Sequence, residues 1–255
     1  MRPLSIARNG RMDSNAKLAV FKAQVENVRS LDSAIKQVKR AINAELRSNN
    51  QAAVDSFTKI YVLLFCSWAE ANFSKVIHTP HAFNSDELAQ IKIVKDQLGI
   101  SEGWKKCVEL GARHLEMKQG SFKPNALKLL NETIGSYVFD PSLIRNKLIH
   151  GQWKIALNRR NDNENPDYTK KILDLHTIKI TGWYECHKLL ASLVEVLAES
   201  PRKAFVRDWY SDTITLKEKM QESDNKTIER HTTLVRAKDA RTDARRKRAE
   251  GLGQI

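Results

Sequence analysis

A long helical stripe near the start of the chain most limits what this sequence can fold into. Between residues 16 and 48, apolar side chains recur at steps of three and four, at Leu18, Phe21, Val25, Val28, Leu31, Ile35, Val38, Ile42 and Leu46. This spacing places them on one face of a helix, and that face must be buried against another element. The stripe therefore predicts a long amphipathic helix that packs on a helical partner.

The rest of the sequence also favours helices. Residues 52–76 predict a second helix whose middle is apolar nearly all round, which is typical of a central core helix. Ten Gly and six Pro are few for 255 residues, which favours long helices over many turns. Only residues 172–180 alternate apolar and polar side chains, as a short strand does. We predict an all-α fold, an up-and-down bundle of four to five core helices.

Composition along the chain predicts three regions. Residues 1–13 are expected to form a flexible N-terminal lead, and residues 14–216 the helical domain. Apolar side chains become sparse from residue 217, and basic ones concentrate between residues 236 and 248. Residues 217–255 are therefore predicted to be a basic C-terminal extension, either a solvated helix or an unfolded tail.

The charge and the cysteines indicate the class of partner and the compartment. With 43 Lys and Arg against 30 Asp and Glu, the net charge is +13, which attracts phosphate-rich partners, nucleic acid foremost. The three Cys are far apart and form no CxxC pair, which argues against a disulfide framework or a thiolate zinc site. The longest apolar run, residues 60–68, is about half the length of a membrane helix. We expect a cytoplasmic protein that does not enter a membrane.

No cofactor or metal is predicted. The chain lacks the G-x(4)-G-K-[ST] phosphate loop of ATPases and the G-x-S-x-G turn of serine hydrolases. His78 and His81 have a spacing found in zinc sites, but no further ligands lie near them in the sequence. Loop histidines are the simpler interpretation.

Residues 139–153, FDPSLIRNKLIHGQW, contain the side chains best suited to chemistry. Asp140 is a good helix N-cap, Pro141 suits the first helical position and Gly151 suits the exit, so a short helix is predicted here. The helix carries Arg145, and His150 lies at its end. A guanidinium can hold two phosphate oxygens, and an imidazole, with an ordinary pKa of about 6.5, transfers protons near neutral pH.

The Arg145 to His150 segment resembles the R-x(4–6)-H motif of the HEPN superfamily, in the form where Asn, here Asn146, follows the Arg. The resemblance covers roughly residues 15–200. Several HEPN families carry an acidic residue in an early core helix, and Glu70, in the segment SWAEANF, is its counterpart by position. Glu70 is expected to support Arg145 or His150, or else to form a salt bridge that fixes the core.

The resemblance implies a metal-independent endoribonuclease. Two chains pair so that both motifs face one cleft, and the 2′-hydroxyl of RNA attacks the adjacent phosphate, leaving 2′,3′-cyclic phosphate and 5′-hydroxyl ends. The pairing of two chains implies a homodimer. Proteins with such domains act as toxins or antiviral defence effectors, which implies an antitoxin or other regulatory partner. On an ideal helix Arg145 and His150 lie roughly 140° apart, which also favours a site completed by a second copy.

Other functions stay open at this point. The motif can be a solvated helix face, the chain can be a non-catalytic HEPN-like module that binds RNA or a protein, or it can be a plain helical adaptor. If RNA is the partner, we expect further contacts from Lys147 and from the basic extension at Arg236, Arg241, Arg245 and Arg246. Trp153 either stacks on a base or packs against the protein.

Overall fold

The computed structural model describes residues 12–115 and 121–252, and within them the fold is all-α, as the sequence predicts. One five-residue π-helix, Gly135–Phe139, interrupts the series. The α-helices are α1 Ser14–Ser48, α2 Gln51–His78, α3 Ser85–Leu98, α4 Ile100–Ala112, α5 Phe122–Ile134, α6 Asp140–Ile149, α7 Pro166–Leu173, α8 Thr177–Glu199, α9 Ala204–Asn225 and α10 Ile228–Leu252.

The first two helices form a long hairpin. Asp13 caps α1 by accepting a 2.7 Å hydrogen bond from the N–H of Ala16. Asn49 ends the helix in the left-handed conformation at φ 60°, and Asn50 then caps α2. The predicted stripe faces the partner helix, and its fully buried members are Ile35, Ile42 and Leu46.

The buried side chains form two clusters that share the central helices α2 and α8. The first cluster joins α1, α2, α6 and the start of α8 and includes Tyr61, Phe65, Trp68, Ile144 and Trp183. The second joins the end of α2 to α3, α4, α5, the end of α8 and α9, and includes Trp104, Leu130, Val194, Phe205 and Trp209. Because α6 packs into the first cluster through Ile144 and Leu148, its outer face is left at the surface.

The entry into α6 differs from the prediction. Asp140 is not an N-cap, because its φ of −57° and ψ of −47° are helical and the π-helix connects α5 to α6 without a break. Pro141 has no N–H to donate to the carbonyl four residues earlier, that of Tyr137. The Nδ1 of His187 on α8 lies 3.2 Å from that oxygen and donates to it instead. A tertiary contact therefore compensates for the proline within a continuous helix.

No strand forms at residues 172–180, where the alternating pattern was compatible with a short strand or an extended entry into the next helix. These residues contain the end of α7, a short turn and the start of α8. The Nδ1 of His176 accepts a 3.2 Å hydrogen bond from the N–H of Lys179 and so caps α8. A side-chain cap and helical packing outweigh a short alternating pattern.

The C-terminal region is helical. Helix α9 continues through residue 217, the predicted start of the extension, and buries Phe205, Trp209 and Leu216 against the second cluster. Helix α10 packs its first turns on α1, where the Nε2 of His231 lies 2.9 Å from the Oδ1 of Asn43. Of the two predicted forms, the described residues 217–252 take the helical one with a break at residues 226–227, and residues 253–255 lie outside the described residues.

Helix α2 is the one described helix that is long and apolar enough to cross a membrane. Core helices pass the same test of length and composition, and α2 packs against α1, α6 and α8. The length and composition of α2 do not decide between a core helix and a membrane helix, so the cytoplasmic location stays a prediction.

Candidate active site at the end of α6

The three motif side chains lie at the surface near the end of α6. Arg145 and Asn146 belong to the helix, and His150 ends it with φ −91° and ψ 18°. Gly151 follows at φ 77°, a left-handed conformation that glycine adopts without strain. Asn146 and His150 are exposed, and they lie four residues apart, which places them on the same side of the helix.

Two acceptors hold the guanidinium of Arg145. Its Nη2 lies 3.2 Å from the Oε1 of Glu70 on α2, and its Nη1 donates to the Oδ1 of Asn146 at 3.3 Å. The Arg145 side chain is 34% exposed and that of Glu70 52%, so water reaches both charged groups. An ion pair this open to water contributes about 1 kcal/mol at most to stability, and its larger effect is to orient the guanidinium.

A small crevice separates this ion pair from the core. Its walls include Phe65, Ala69, Ile100, Tyr137, Val138 and Ser142. Cys66 also lines it, and burial raises the pKa of its thiol to about 12, although the charge of Arg145 opposes that shift. The thiol therefore stays protonated at neutral pH, and Cys66 is a core side chain rather than a nucleophile.

Two side chains predicted to contact RNA have partners within the chain. The ammonium of Lys147 donates to the carbonyl of Leu157 and lies 5.7 Å from the centre of the Tyr168 ring. The indole N–H of Trp153 donates to the carbonyl of Leu148 at 2.9 Å, and its ring is half-buried against the first cluster. In this conformation both residues hold the end of α6 and the segment after it.

The basic extension reaches the α1–α2 turn. Arg236 donates from Nε to the Leu46 carbonyl at 3.1 Å and from Nη2 to the Oδ1 of Asn49 at 2.8 Å, so it closes the end of α1. This turn lies roughly 30 Å along α2 from Glu70. Arg241 is exposed, and Arg245 and Arg246 belong to α10, but their side chains lie outside the described residues.

The remaining histidines show no ligand arrangement. His78 is buried, its Nδ1 donates to the Ser74 carbonyl at 2.6 Å, and burial lowers its pKa to about 4. Among residues 12–115 and 121–252, no three His, Cys, Asp or Glu side chains lie close enough to hold a metal ion together.

Two arginines that the sequence analysis passed over lie just beyond the motif. Residues 158–165 form a turn between the bridge partners Leu157 and Glu164 and the start of α7, with Arg159 and Arg160 exposed at its tip. The dipeptide Arg-Arg immediately after Asn158, a residue that favours turns, is the signal that could have identified them. Comparison with protein-family models, curated proteins and solved structures finds no match to this chain.

Proposed function

We propose that this chain is an endoribonuclease that needs no metal and cuts RNA with Arg145 and His150. One observation carries the proposal: a guanidinium oriented by Glu70 and Asn146 lies on the same surface helix that ends at an exposed imidazole. These are the two groups that transesterification of RNA requires, a fixed positive charge for the phosphate and a proton carrier. The motif's resemblance to HEPN ribonucleases supports the same chemistry.

The reaction balances with these groups. The 2′-oxygen loses its proton and bonds to the adjacent phosphorus while the bond from phosphorus to the 5′-oxygen breaks and that oxygen gains a proton. His150 carries one of the two protons, and Arg145 neutralises charge on the non-bridging oxygens. Asn146, which can donate and accept, orients the phosphate or the imidazole. The products are a 2′,3′-cyclic phosphate and a 5′-hydroxyl.

A second copy of the chain supplies the other proton carrier in this proposal. One imidazole performs one of the two transfers, and a two-fold axis beside α6 would bring a second His150 to the same groove. Two large apolar side chains near the motif support this arrangement, because Phe139 is 46% and Ile149 50% exposed. Replacing Ile149 with Asp should shift the protein toward monomer in sedimentation and reduce cleavage with it.

The test is cleavage of total RNA in EDTA. His150→Ala should reduce the rate by about 10²–10⁴-fold through loss of proton transfer. Arg145→Ala should reduce it by about 10²–10³-fold through loss of charge stabilisation. Arg113→Ala is a matched control, since Arg113 also pairs with a surface glutamate, Glu109 at 2.8 Å, but on α4. Equal rates for all three variants would refute the assignment.

A non-catalytic module is the second candidate, and one contact favours it. The carboxylate of Glu70 that orients the guanidinium of Arg145 also competes with a reacting phosphate for it, which counts against catalysis by this group. RNA binding without cleavage would select this candidate. Expression that arrests growth in the wild type but not in His150→Ala would instead support a toxin or defence effector restrained by an antitoxin or other partner.

A further inference from the structure

The segment that follows the motif folds into a compact loop, residues 152–165, which we name the arginine loop. An antiparallel bridge between Leu157 and Glu164 closes it. The N–H of Asn165 donates to the carbonyl of Ala156 at 2.7 Å, on a residue that is fully buried. The base of the loop is therefore part of the folded core rather than a free connection.

The tip of the loop has a defined shape because of Asn158. Its Oδ1 accepts from the N–H groups of Arg160 at 3.0 Å and Asp162 at 3.3 Å, and its amide donates to the Oδ1 of Asp162 at 2.6 Å. Asn161 takes the left-handed conformation at φ 58°, which asparagine tolerates. The result is a tight turn with Arg159 and Arg160 exposed at its end.

The two guanidinium groups at the tip have no ion partner among the described residues. The nearest carboxylate in sequence, that of Asp162, accepts instead from the amides of Asn158 and Asn163. Among the described residues, the exposed arginines Arg29, Arg113 and Arg207 pair with Glu26, Glu109 and Asp208, whereas the exposed Arg40 and Arg230 form no ion pair. The exposed Lys154 and Lys170 lie near the tip in the chain, and so do the exposed carboxylates of Glu164 and Asp167.

Two side-chain hydrogen bonds join the arginine loop to α6, the helix that carries the motif, and a third joins it to α7. Lys147 on α6 donates to the Leu157 carbonyl, and Trp153 donates to the Leu148 carbonyl. The N–H of Ala156 donates to the Oγ1 of Thr169 on α7 at 3.0 Å. The unpaired arginines are thus held in a fixed relation to Arg145 and His150, although they lie outside the motif.

We propose that the arginine loop is a docking surface for the phosphate backbone of RNA, with Arg159 and Arg160 as its main contacts. The choice of RNA, and of phosphate over carboxylate, rests on the proposed function, while the anionic character of the partner rests on the loop itself. A planar guanidinium group can bind two phosphate oxygens at once. Those of Arg159 and Arg160 form no ion pair with the described residues. Lys147 acts as a positioning residue that ties this surface to α6.

The test is equilibrium binding of a fluorescein-labelled 20-nucleotide single-stranded RNA, followed by anisotropy across a salt series in the His150→Ala background, which avoids cleavage. Adding Arg159→Gln and Arg160→Gln should weaken binding about tenfold near 100 mM salt. Two lost phosphate contacts should also lower the slope of log affinity against log salt by about 1.4. A matched control, Arg113→Gln just after α4 with Lys128→Gln on α5, removes the same charge elsewhere and should leave the slope unchanged.

Each outcome decides between this proposal and the one before it. If the protein binds RNA through the loop but never cuts it, the docking surface stands and the catalytic proposal fails. If it cuts RNA but the loop variant binds with the affinity and slope of the control, the docking surface is refuted. The proposal is also refuted if the loop substitutions weaken binding of labelled polyaspartate as much as binding of RNA, because the loop would then bind any anion and not phosphate in particular. Unchanged circular dichroism and melting temperature establish that both double variants are folded.

Discussion

The contact between His187 and the motif helix predicts a specific loss of stability in mild acid. His187 is fully buried, and burial lowers its pKa from 6.5 to about 4, opposed in part by its bond to Tyr137. As pH falls, the unfolded chain therefore binds this proton before the folded chain does. The free energy of unfolding should decrease as pH falls from about 6.5 toward 4.

The size of the effect follows from the two pKa values. Between pH 7 and pH 5, a histidine with these values loses about 2 kcal/mol of stabilisation, out of about 3.4 kcal/mol if the pH falls well below 4. His78 is also buried with a pKa lowered to about 4, so it should add a similar and separate loss. Together they predict a steep decline that begins above the ordinary titration range of carboxylates.

Urea unfolding at pH 7 and pH 5, in the wild type and in His187→Asn, isolates this contribution. Asparagine cannot titrate, yet its amide can still donate to the Tyr137 carbonyl. The variant should be less stable than the wild type at pH 7 because the buried ring is lost. Between pH 7 and pH 5, however, its free energy of unfolding should decrease by about 2 kcal/mol less than that of the wild type. All other groups titrate alike in both proteins. Equal pH dependence in the two would refute the assignment of a neutral, buried His187.

Three further changes test the packing. A Cβ on Gly182 would lie 1.9 Å from the Oγ of Ser223, so Gly182→Ala should cost about 1–3 kcal/mol in urea unfolding and Ser223→Gly should restore part of it. Trp153→Phe removes the hydrogen bond to Leu148 and should cost about 1 kcal/mol, measured in the same way. Arg236→Met should speed hydrogen exchange in the first turns of α10, while exchange in α6 stays unchanged; equal protection in α10 would contradict its anchoring role.

The sequence was most informative where one strong pattern acted locally. The apolar stripe of α1 and the central apolar helix α2 are both found within about two residues of their predicted ends. Asp140 was misassigned because a good N-cap residue followed by proline also occurs inside a continuous helix when a π-helix and a distant donor accommodate it. That donor, His187, lies 50 residues away in sequence, where no local pattern identifies it.

Of the contacts at the candidate site, one was expected and others were not. The family resemblance led to the expectation that Glu70 supports Arg145 or His150, and Glu70 does pair with Arg145 although the two residues lie 75 apart in sequence. Lys147 illustrates the limit, because a cation beside the motif suggested an RNA contact, and only the folded chain shows its ammonium bound to Leu157. Whether a basic side chain is free for a ligand depends on its neighbours in space.

The chemical groups at the cut ends test most directly whether RNA is cleaved by its own 2′-hydroxyl, which is the reaction proposed for Arg145 and His150. A short oligoribonucleotide cleaved in EDTA should give, by mass spectrometry, one fragment ending in a 2′,3′-cyclic phosphate and one beginning with a 5′-hydroxyl. The same oligonucleotide with a 2′-deoxyribose at the cut position should remain whole. Cleavage of that deoxy substrate, or 5′-phosphate ends from the normal one, would contradict attack by the 2′-hydroxyl.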